Sequence, residues 1–193
     1  DGADEKKIRE FNRFPFIKGF TTTPTLMRNA GVDDYERFAR NLLLDIVDKP
    51  ISFEVFSDEF KDMARQARII NSWGPNVYVK IPITNTRRES AADLIGELLR
   101  EGIKINVTAI LTVEQLDRIR PQFPDKSQSI ISVFAGRVAD TGRDPKENIR
   151  HALNVFRECP GAEVLWASCR ELYNIFEADQ VGCHIITVTL PLI

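Results

Sequence analysis

The stretch Asn76-Val-Tyr-Val-Lys80-Ile-Pro-Ile-Thr84 is the most apolar β-type run in the chain, and a single lysine interrupts it. Successive side chains of an extended segment point to opposite faces, so Tyr78 and Lys80 share one face and the aliphatic residues share the other. An amphipathic helical pattern follows at residues 88–100, and a second β-branched run follows at residues 105–110. Strand, helix and strand in this order predict parallel strands joined by a right-handed crossover.

The same alternation runs along the whole chain. The predicted strands are Phe16–Thr22, Ile51–Val55, Val77–Ile81, Ile105–Ile110, Ile130–Phe134, Val164–Ala167 and Ile185–Val188. The helical patterns are Asp4–Phe11, Asp33–Val47, Asp58–Ile70, Arg88–Arg100, Val113–Ile119, Pro145–Phe156 and Glu171–Glu177. A further strand ending at Asp1 brings the strand count to eight, the number that a (β/α)8 barrel requires.

An open, doubly wound sheet is the alternative architecture, but no G-x-G-x-x-G motif follows any predicted strand, which weakens a dinucleotide-binding interpretation. We therefore predict an α/β protein with a (β/α)8 TIM barrel that lacks most of strand 1 and the C-terminal helix. Residues 1–193 are expected to form a single domain.

Composition excludes several classes of partner. The net charge of -2 provides no basic field for nucleic acid or an anionic membrane, and no apolar run approaches the length of a membrane span. The odd number of cysteines, Cys159, Cys169 and Cys183, argues against a disulfide framework and favours a reducing cytoplasm. The two histidines, His151 and His184, have no metal-type spacing, so we expect no metal site. A small-molecule partner is the default expectation.

Lys80 is costly in the middle of such a strand unless it is paired or used. Burial disfavours an ammonium group, so a lysine held there tends towards the neutral amine, which is a nucleophile for carbonyl carbon. The alternative is a side chain that reaches past the strand end into solvent. Glu54, within Ile51-Ser-Phe-Glu54-Val-Phe56, is a candidate to position a water or relay protons for Lys80. As an ion-pair partner that keeps Lys80 charged, Glu54 would instead argue against catalysis.

Polar residues recur at the C-terminal ends of the predicted strands, where TIM barrels carry their chemistry. They are Asp1, Thr21, Thr22, Thr23, Glu54, Lys80, Asn106, Thr108, Ser132, Ser168 and Arg170. Taken singly, each has an ordinary structural explanation as a helix cap, a turn residue or a solvated charge. Arg137 and Arg170 follow the sixth and seventh strands, in late loops of the kind that bind phosphate in barrels. Together with Lys80, they predict a phosphorylated carbonyl substrate.

Several segments also match a known family in order along the chain. They are Asp1-Gly2-Ala3-Asp4, Gly19-Phe-Thr21-Thr22-Thr23-Pro24-Thr25-Leu26, Val77-Tyr-Val-Lys80-Ile-Pro82, Asn106-Val107-Thr108, Ser132-Val-Phe134-Ala-Gly136-Arg137 and Ala167-Ser168-Cys-Arg170. Through these segments the chain resembles the transaldolase family, in particular its short microbial members and their relative fructose 6-phosphate aldolase. The resemblance covers nearly the whole chain.

The resemblance implies a class I aldolase chemistry in which Lys80 forms an imine with a ketose. It implies that Glu54 and Thr108 hold the catalytic water and that Asp1 assists proton transfer at the donor hydroxyls. The implied substrate-binding residues are Thr21, Thr23, Asn106, Ser132 and Phe134, with Arg137, Ser168 and Arg170 on the phosphate. The implied reaction cleaves the bond between the third and fourth carbons and transfers a dihydroxyacetone unit to an aldehyde. The protonated imine is the electron sink, so no metal or organic cofactor is expected.

Two residues favour transfer over simple cleavage, because Glu54 and Phe134 resemble the transaldolases, whereas the aldolase has glutamine and tyrosine there. Thr23 departs from the signature asparagine, and Asn85-Thr-Arg87-Arg88 departs from the usual acidic-glycine turn, so the donor and acceptor sugars stay open. The alternatives are a fructose 6-phosphate aldolase-like lyase and a non-catalytic sugar-phosphate-binding barrel. We expect sugar phosphate substrates without nucleic acid or membrane partners, and the resemblance leaves open whether the chain is a homo-oligomer.

Overall fold

A computed structural model of the chain describes residues 1–124 and 127–192. Within these residues, seven strands form one sheet, and each strand pairs in parallel with the next one along the chain. The strands are β1 (Phe20–Thr21), β2 (Ile51–Glu54), β3 (Val77–Pro82), β4 (Ile105–Ile110), β5 (Ser129–Val133), β6 (Ala162–Trp166) and β7 (Ile185–Ile186). The sheet curls into the α/β architecture of a truncated TIM barrel, which confirms the predicted fold class.

The helices of the described residues are α1 (Glu5–Asn12), α2 (Pro24–Asn29), α3 (Tyr35–Asp45), α4 (Phe60–Asn71), α5 (Ala92–Arg100), α6 (Val113–Ile119), α7 (Ala135–Ala139), α8 (Pro145–Val155) and α9 (Tyr173–Gln180). Two single turns of 3-10 helix lie at Arg120–Gln122 and Leu190–Leu192. Polar caps begin several helices. In α6, for example, Thr112 and Gln115 form a reciprocal capping box that satisfies two of the free backbone N–H groups.

Alternation along β3 sorts its side chains between two environments. Val77, Val79 and Ile81 are at most 1% exposed and belong to the main core shared with the helices. Tyr78 lies on the opposite face, where it packs against a smaller apolar cluster that includes Ile130 and Leu165. The predicted alternation is therefore confirmed, and it places Lys80 on the inner face of the curled sheet.

The two edge strands are shorter than predicted, since β1 covers only two residues of Phe16–Thr22 and β7 only two of Ile185–Val188. Each pairs with a single neighbouring strand, so fewer backbone hydrogen bonds extend it. Residues 1 and 2 lie between these edges. The backbone nitrogen of Gly2 donates to Thr21 O at 3.0 Å, and that of Asp1 donates to Val188 O at 2.8 Å.

A cavity of about 720 Å³ opens in the same interval between β1 and β7. Its walls include Phe16, Leu165 and Ile185, and it reaches Thr21 and Ser52 on the inner face of the sheet. Asp1 also lines this cavity, whereas Lys80 is not among its lining residues. No helix among the residues that the structure describes is both long and apolar enough to cross a membrane.

Candidate active site

Lys80 lies inside the curled sheet with only 6% of its side chain exposed. Its Nζ is 3.1 Å from Oε2 of Glu54 and donates a hydrogen bond to the carbonyl oxygen of Thr22, also at 3.1 Å. The side chain therefore does not reach past the strand end into solvent. An amine at this position is shielded from bulk water and touches a carboxylate that can accept its proton.

Strand register explains this cluster. Pairing of β2 with β3 places Glu54 opposite Lys80, and pairing of β3 with β4 places Asn106 opposite Lys80. Thr108 lies two residues further along β4 and is 1% exposed. The register of β4 shifts between Val107 and Ile110, where Ala109 adopts a left-handed backbone conformation with φ of 61°. A bulge of this kind redirects the end of a strand, and here it directly follows Thr108.

Tyr35, at the start of α3, supports the backbone of Glu54. Its hydroxyl donates to the carbonyl oxygen of Glu54 at 3.0 Å, and its ring packs edge-on against Phe53, Phe56 and Trp73. Burial, and secondly the negative charge of Glu54, raise the pKa of Tyr35 well above its ordinary value. The hydroxyl thus remains a hydrogen-bond donor. No sequence pattern pointed to Tyr35, because periodicity does not show which carbonyl a tyrosine will reach.

Asn106, Ser132 and Ser52 form a buried hydrogen-bonded chain across the inner face. Ser132 Oγ donates to Asn106 Oδ1 at 2.7 Å, and Asn106 Nδ2 donates to Ser52 Oγ at 3.1 Å. The two bonds fix which end of the amide points towards each serine. Ser52 is a second residue that the sequence analysis missed, although its spacing of two residues from Glu54 indicates that both share the inner face.

Asp1 and Thr21 are brought together beside β7. Thr21 Oγ1 donates to Asp1 Oδ1 at 2.9 Å and lies 2.7 Å from Thr187 Oγ1. Since the Thr21 proton is used on Asp1, the Thr187 hydroxyl acts as the donor to Thr21. Thr23 is engaged differently, because its hydroxyl accepts from the backbone N–H of Leu26 at 3.2 Å and so begins α2. Its predicted contact with a donor substrate stays a prediction.

The predicted phosphate ligands lie after β5 and β6, with Arg137 in α7 and with Ser168 and Arg170 in the loop that follows β6. Arg137 is exposed, and its guanidinium carbon lies 5.1 Å from the ring centroid of Phe134. The guanidinium of Arg170 is about half exposed and pairs with Asp140 at 2.5 Å. Ser168 has a φ of 61°, which is unusual for a residue with a side chain.

Helix α7 and the loop that follows β6 touch through Gly136. The N–H of Gly136 donates to Ala167 O at 3.4 Å, and a Cβ built on Gly136 would overlap the carbonyl oxygen of Ser168. Only glycine permits this close approach, which brings the segment bearing Arg137 against the segment bearing Arg170. Among the described residues, neither arginine forms a hydrogen bond or ion pair with Lys80 or Glu54.

The chain is similar to known proteins over nearly its whole length. The sequence model of the family described as transaldolase/fructose-6-phosphate aldolase matches residues 1–193. A "probable transaldolase" of Streptococcus agalactiae serotype V is 36% identical over 192 residues, which covers 97% of this chain and 83% of the relative. A "probable transaldolase 2" of Listeria monocytogenes serovar 1/2a is 34% identical over 189 residues, covering 97% and 82%. A "probable transaldolase" of Methanococcus maripaludis is 34% identical over 193 residues, covering 97% and 83%.

Among solved structures, dihydrodipicolinate synthase from Rhodopseudomonas palustris aligns with 96% of this chain and 64% of its own chain, with a TM-score of 0.57. The sequences are 14% identical, so this similarity concerns the fold alone.

Proposed function

Because the chain belongs to the transaldolase/fructose-6-phosphate aldolase family, we propose that it transfers a dihydroxyacetone unit between phosphorylated sugars through an imine on Lys80. The observation that carries this proposal is the buried Lys80 amine, 3.1 Å from the Glu54 carboxylate. A lysine nucleophile needs to lose a proton before it attacks, and a carboxylate in hydrogen-bond contact supplies the acceptor. Glu54 therefore serves both as ion-pair partner in the resting protein and as proton acceptor in the reaction.

Imine formation uses Lys80 and Glu54 together. The Lys80 ammonium gives one proton to Glu54, and the free amine attacks the carbonyl carbon of the ketose to form a carbinolamine. The Glu54 carboxylic acid returns its proton to the departing hydroxyl, which leaves as water and gives a protonated imine and an ionised Glu54. Thr108, buried on the neighbouring strand, is the second residue that we assign to holding this water.

Carbon–carbon cleavage uses the protonated imine as electron sink. The electrons of the bond between the third and fourth carbons flow into the imine to form an enamine, and the proton of the C4 hydroxyl passes to Asp1. The aldehyde fragment leaves. The enamine then attacks an acceptor aldehyde, Asp1 returns the proton to the new alkoxide, and hydrolysis frees Lys80. Thr21 orients Asp1 through the bond of 2.9 Å.

Substrate recognition divides between the inner face and the loops. We assign Asn106 and Ser132 to the donor hydroxyls, because both lie on the inner face with fixed hydrogen bonds. Phe134, which packs against the apolar cluster of Ile130 and Leu165, is assigned to an apolar wall of the same site. The phosphate is assigned to Arg137, Ser168 and Arg170, since charge-assisted bonds from guanidinium groups suit a phosphate dianion.

Reductive trapping tests the imine. Borohydride added to the protein with fructose 6-phosphate should give an intact mass increased by a reduced ketose or dihydroxyacetone adduct. The Lys80→Met variant keeps an unbranched side chain of nearly the same length without the amine and should show no adduct. Absence of an adduct on the wild type with a panel of ketose phosphates would contradict the proposal and favour a non-catalytic barrel.

Product analysis separates transfer from cleavage. We expect fructose 6-phosphate alone to give little free dihydroxyacetone, and added erythrose 4-phosphate to give a new ketose phosphate, because the enamine waits for an acceptor. Rapid release of dihydroxyacetone without an acceptor would assign the lyase reaction instead. Glu54 and Phe134 support the transfer outcome, since both resemble the transaldolases at those positions.

A further inference from the structure

Asn174, on α9, holds the backbone of the loop that carries Ser168 and Arg170. Asn174 is only 7% exposed. Its Oδ1 accepts hydrogen bonds from the backbone N–H groups of Arg170, at 2.8 Å, and of Glu171, at 3.3 Å. The thiol of Cys169 also points to this oxygen, at 3.6 Å. One buried amide oxygen thus gathers three successive residues of the loop.

The other end of the Asn174 amide is anchored as well. Its Nδ2 donates to Glu177 Oε2 at 2.9 Å, and Glu177 Oε1 pairs with Nζ of Lys146, on α8, at 3.1 Å. Because the nitrogen faces a carboxylate and the oxygen faces backbone N–H groups, the amide has one favourable orientation. The loop is therefore fixed to two helices through a single side chain.

The loop requires such an anchor. Ser168 adopts a φ of 61°, a strained conformation for a residue with a side chain, which persists only where neighbours enforce it. The Arg170 guanidinium cannot enforce it, because its contact with Asp140 lies at the surface, where both side chains are about half exposed. Asn174 contacts the backbone of Arg170 directly, two residues after Ser168.

We propose that Asn174 is a positioning residue for substrate phosphate, acting through the backbone of residues 168–171 so that Ser168 and Arg170 reach the same anion. This inference rests on the proposed function, which assigns those two residues to phosphate. It predicts a split between substrates. Asn174→Ala should raise the KM for fructose 6-phosphate between about tenfold and a hundredfold, the range expected when binding groups move by about 1 Å. The kcat/KM for unphosphorylated fructose should stay near the wild-type value.

A paired substitution distinguishes positioning from a general structural role. Asn174→Asp keeps the acceptor for the loop but sets a carboxylate against Glu177, so it should also raise the KM for the phosphorylated donor. Adding Glu177→Gln restores the hydrogen bond between the two side chains, with residue 177 now the donor and residue 174 the acceptor. The double variant N174D/E177Q should therefore recover most of the lost affinity for the phosphorylated donor. Asn154→Ala is the matched control. Asn154 is an exposed asparagine of α8 whose amide oxygen accepts from Arg157, and its replacement should leave the KM for both substrates unchanged.

The experiment measures steady-state kinetics with fructose 6-phosphate and with fructose for these variants, together with calorimetric titration of each by inorganic phosphate. The expected result is a weakened phosphate affinity and a raised KM for the phosphorylated donor in Asn174→Ala and Asn174→Asp, with recovery in N174D/E177Q. Equal losses on both substrates, unchanged phosphate binding, or no recovery in the double variant would overturn the proposal.

Failure of the proposed function would look different. Borohydride trapping of the wild type with dihydroxyacetone needs no phosphate, so its absence would count against the Lys80 imine alone. Phosphate titration needs no reaction, so a wild type that binds phosphate while Asn174→Ala binds it weakly supports the inference in either case. A thermal unfolding curve for each variant confirms that the comparison is made on folded protein.

Discussion

The two sides of the barrel mouth differ in how their candidate functional residues are held. On the side formed by β2, β3 and β4, Lys80, Glu54 and Asn106 project from adjacent strand positions into the interior. On the side formed by β5 and β6, Arg137 and Arg170 lie after the strands and are exposed. Register of the sheet therefore fixes the first group, whereas contacts of α7 and of the loop that follows β6 fix the second.

This difference has an energetic consequence. Lys80 is buried and the side chain of Glu54 is only 17% exposed, and removing one partner of such a pair leaves an uncompensated charge. The pair of Arg170 and Asp140 is about half exposed, and such pairs contribute about 0–1 kcal/mol. Arg170 can exchange Asp140 for a phosphate at low cost. The side that carries Lys80 and Glu54, the strand side, suits chemistry that needs fixed groups. The side that carries Arg137 and Arg170, the loop side, suits capture of a charged ligand.

Loss of the Glu54 carboxylate should impair proton transfer on the strand side and have the largest effect on activity. Glu54→Ala removes the proton acceptor of Lys80, so kcat should fall by about 10²–10⁴, the usual contribution of a general base. Glu54→Gln keeps a hydrogen-bonding group next to Lys80 and should lose less. Stopped-flow kinetics and the rate of borohydride trapping measure both variants, and a wild-type kcat in Glu54→Ala would contradict the assigned role.

Removing either arginine should weaken phosphate binding on the loop side and leave imine formation at Lys80 intact. Arg137→Ala and Arg170→Ala should each weaken binding of fructose 6-phosphate by about 1.5–3 kcal/mol, the contribution of a hydrogen bond to a charged group. Trapping with dihydroxyacetone, which lacks phosphate, should be unchanged, because neither arginine bonds to Lys80. The KM for each substrate measures the effect, and an equal loss with both would show that the two sides are not independent.

Tyr35→Phe acts on the support of the strand side and should have a small effect on stability. It deletes the hydrogen bond to the Glu54 carbonyl, so the free energy of unfolding should fall by about 1 kcal/mol at neutral pH. Burial raises the folded-state pKa of Tyr35, so its contribution is fully present below the unfolded value of about 10 and is lost as pH rises towards the folded value.

Urea unfolding of both proteins at about pH 8 and about pH 11 checks the sign, since the unfolded tyrosine ionises near pH 10. The advantage of the wild type over Tyr35→Phe should shrink at the higher pH. The remaining tyrosines are common to both proteins and cancel in the difference. An advantage that grows with pH would contradict a buried, protonated Tyr35.

The order of strands and helices was sufficient to predict the parallel sheet, and alternation within β3 was sufficient to predict that Tyr78 and Lys80 share a face, whereas the choice between a buried and a solvent-exposed Lys80 stayed open until the structure was known. Two short helices, α2 and α7, were not predicted. α7 is five residues long and directly follows Phe134, too short for a helical period to show. Asn174 and Tyr35 were missed for another reason. Each acts on backbone groups of a distant segment, and a sequence pattern does not reveal such partners.

The most direct test of the central claim is the location of the trapped adduct. After borohydride reduction with fructose 6-phosphate, an adduct on Lys80 blocks trypsin at that residue, so a single modified peptide spanning residues 69–87 should appear. We expect this modified peptide from wild-type protein reduced in the presence of the ketose, and we expect it to be absent from protein reduced without a ketose. An adduct that maps to another lysine, with residues 69–80 recovered unmodified, would contradict it.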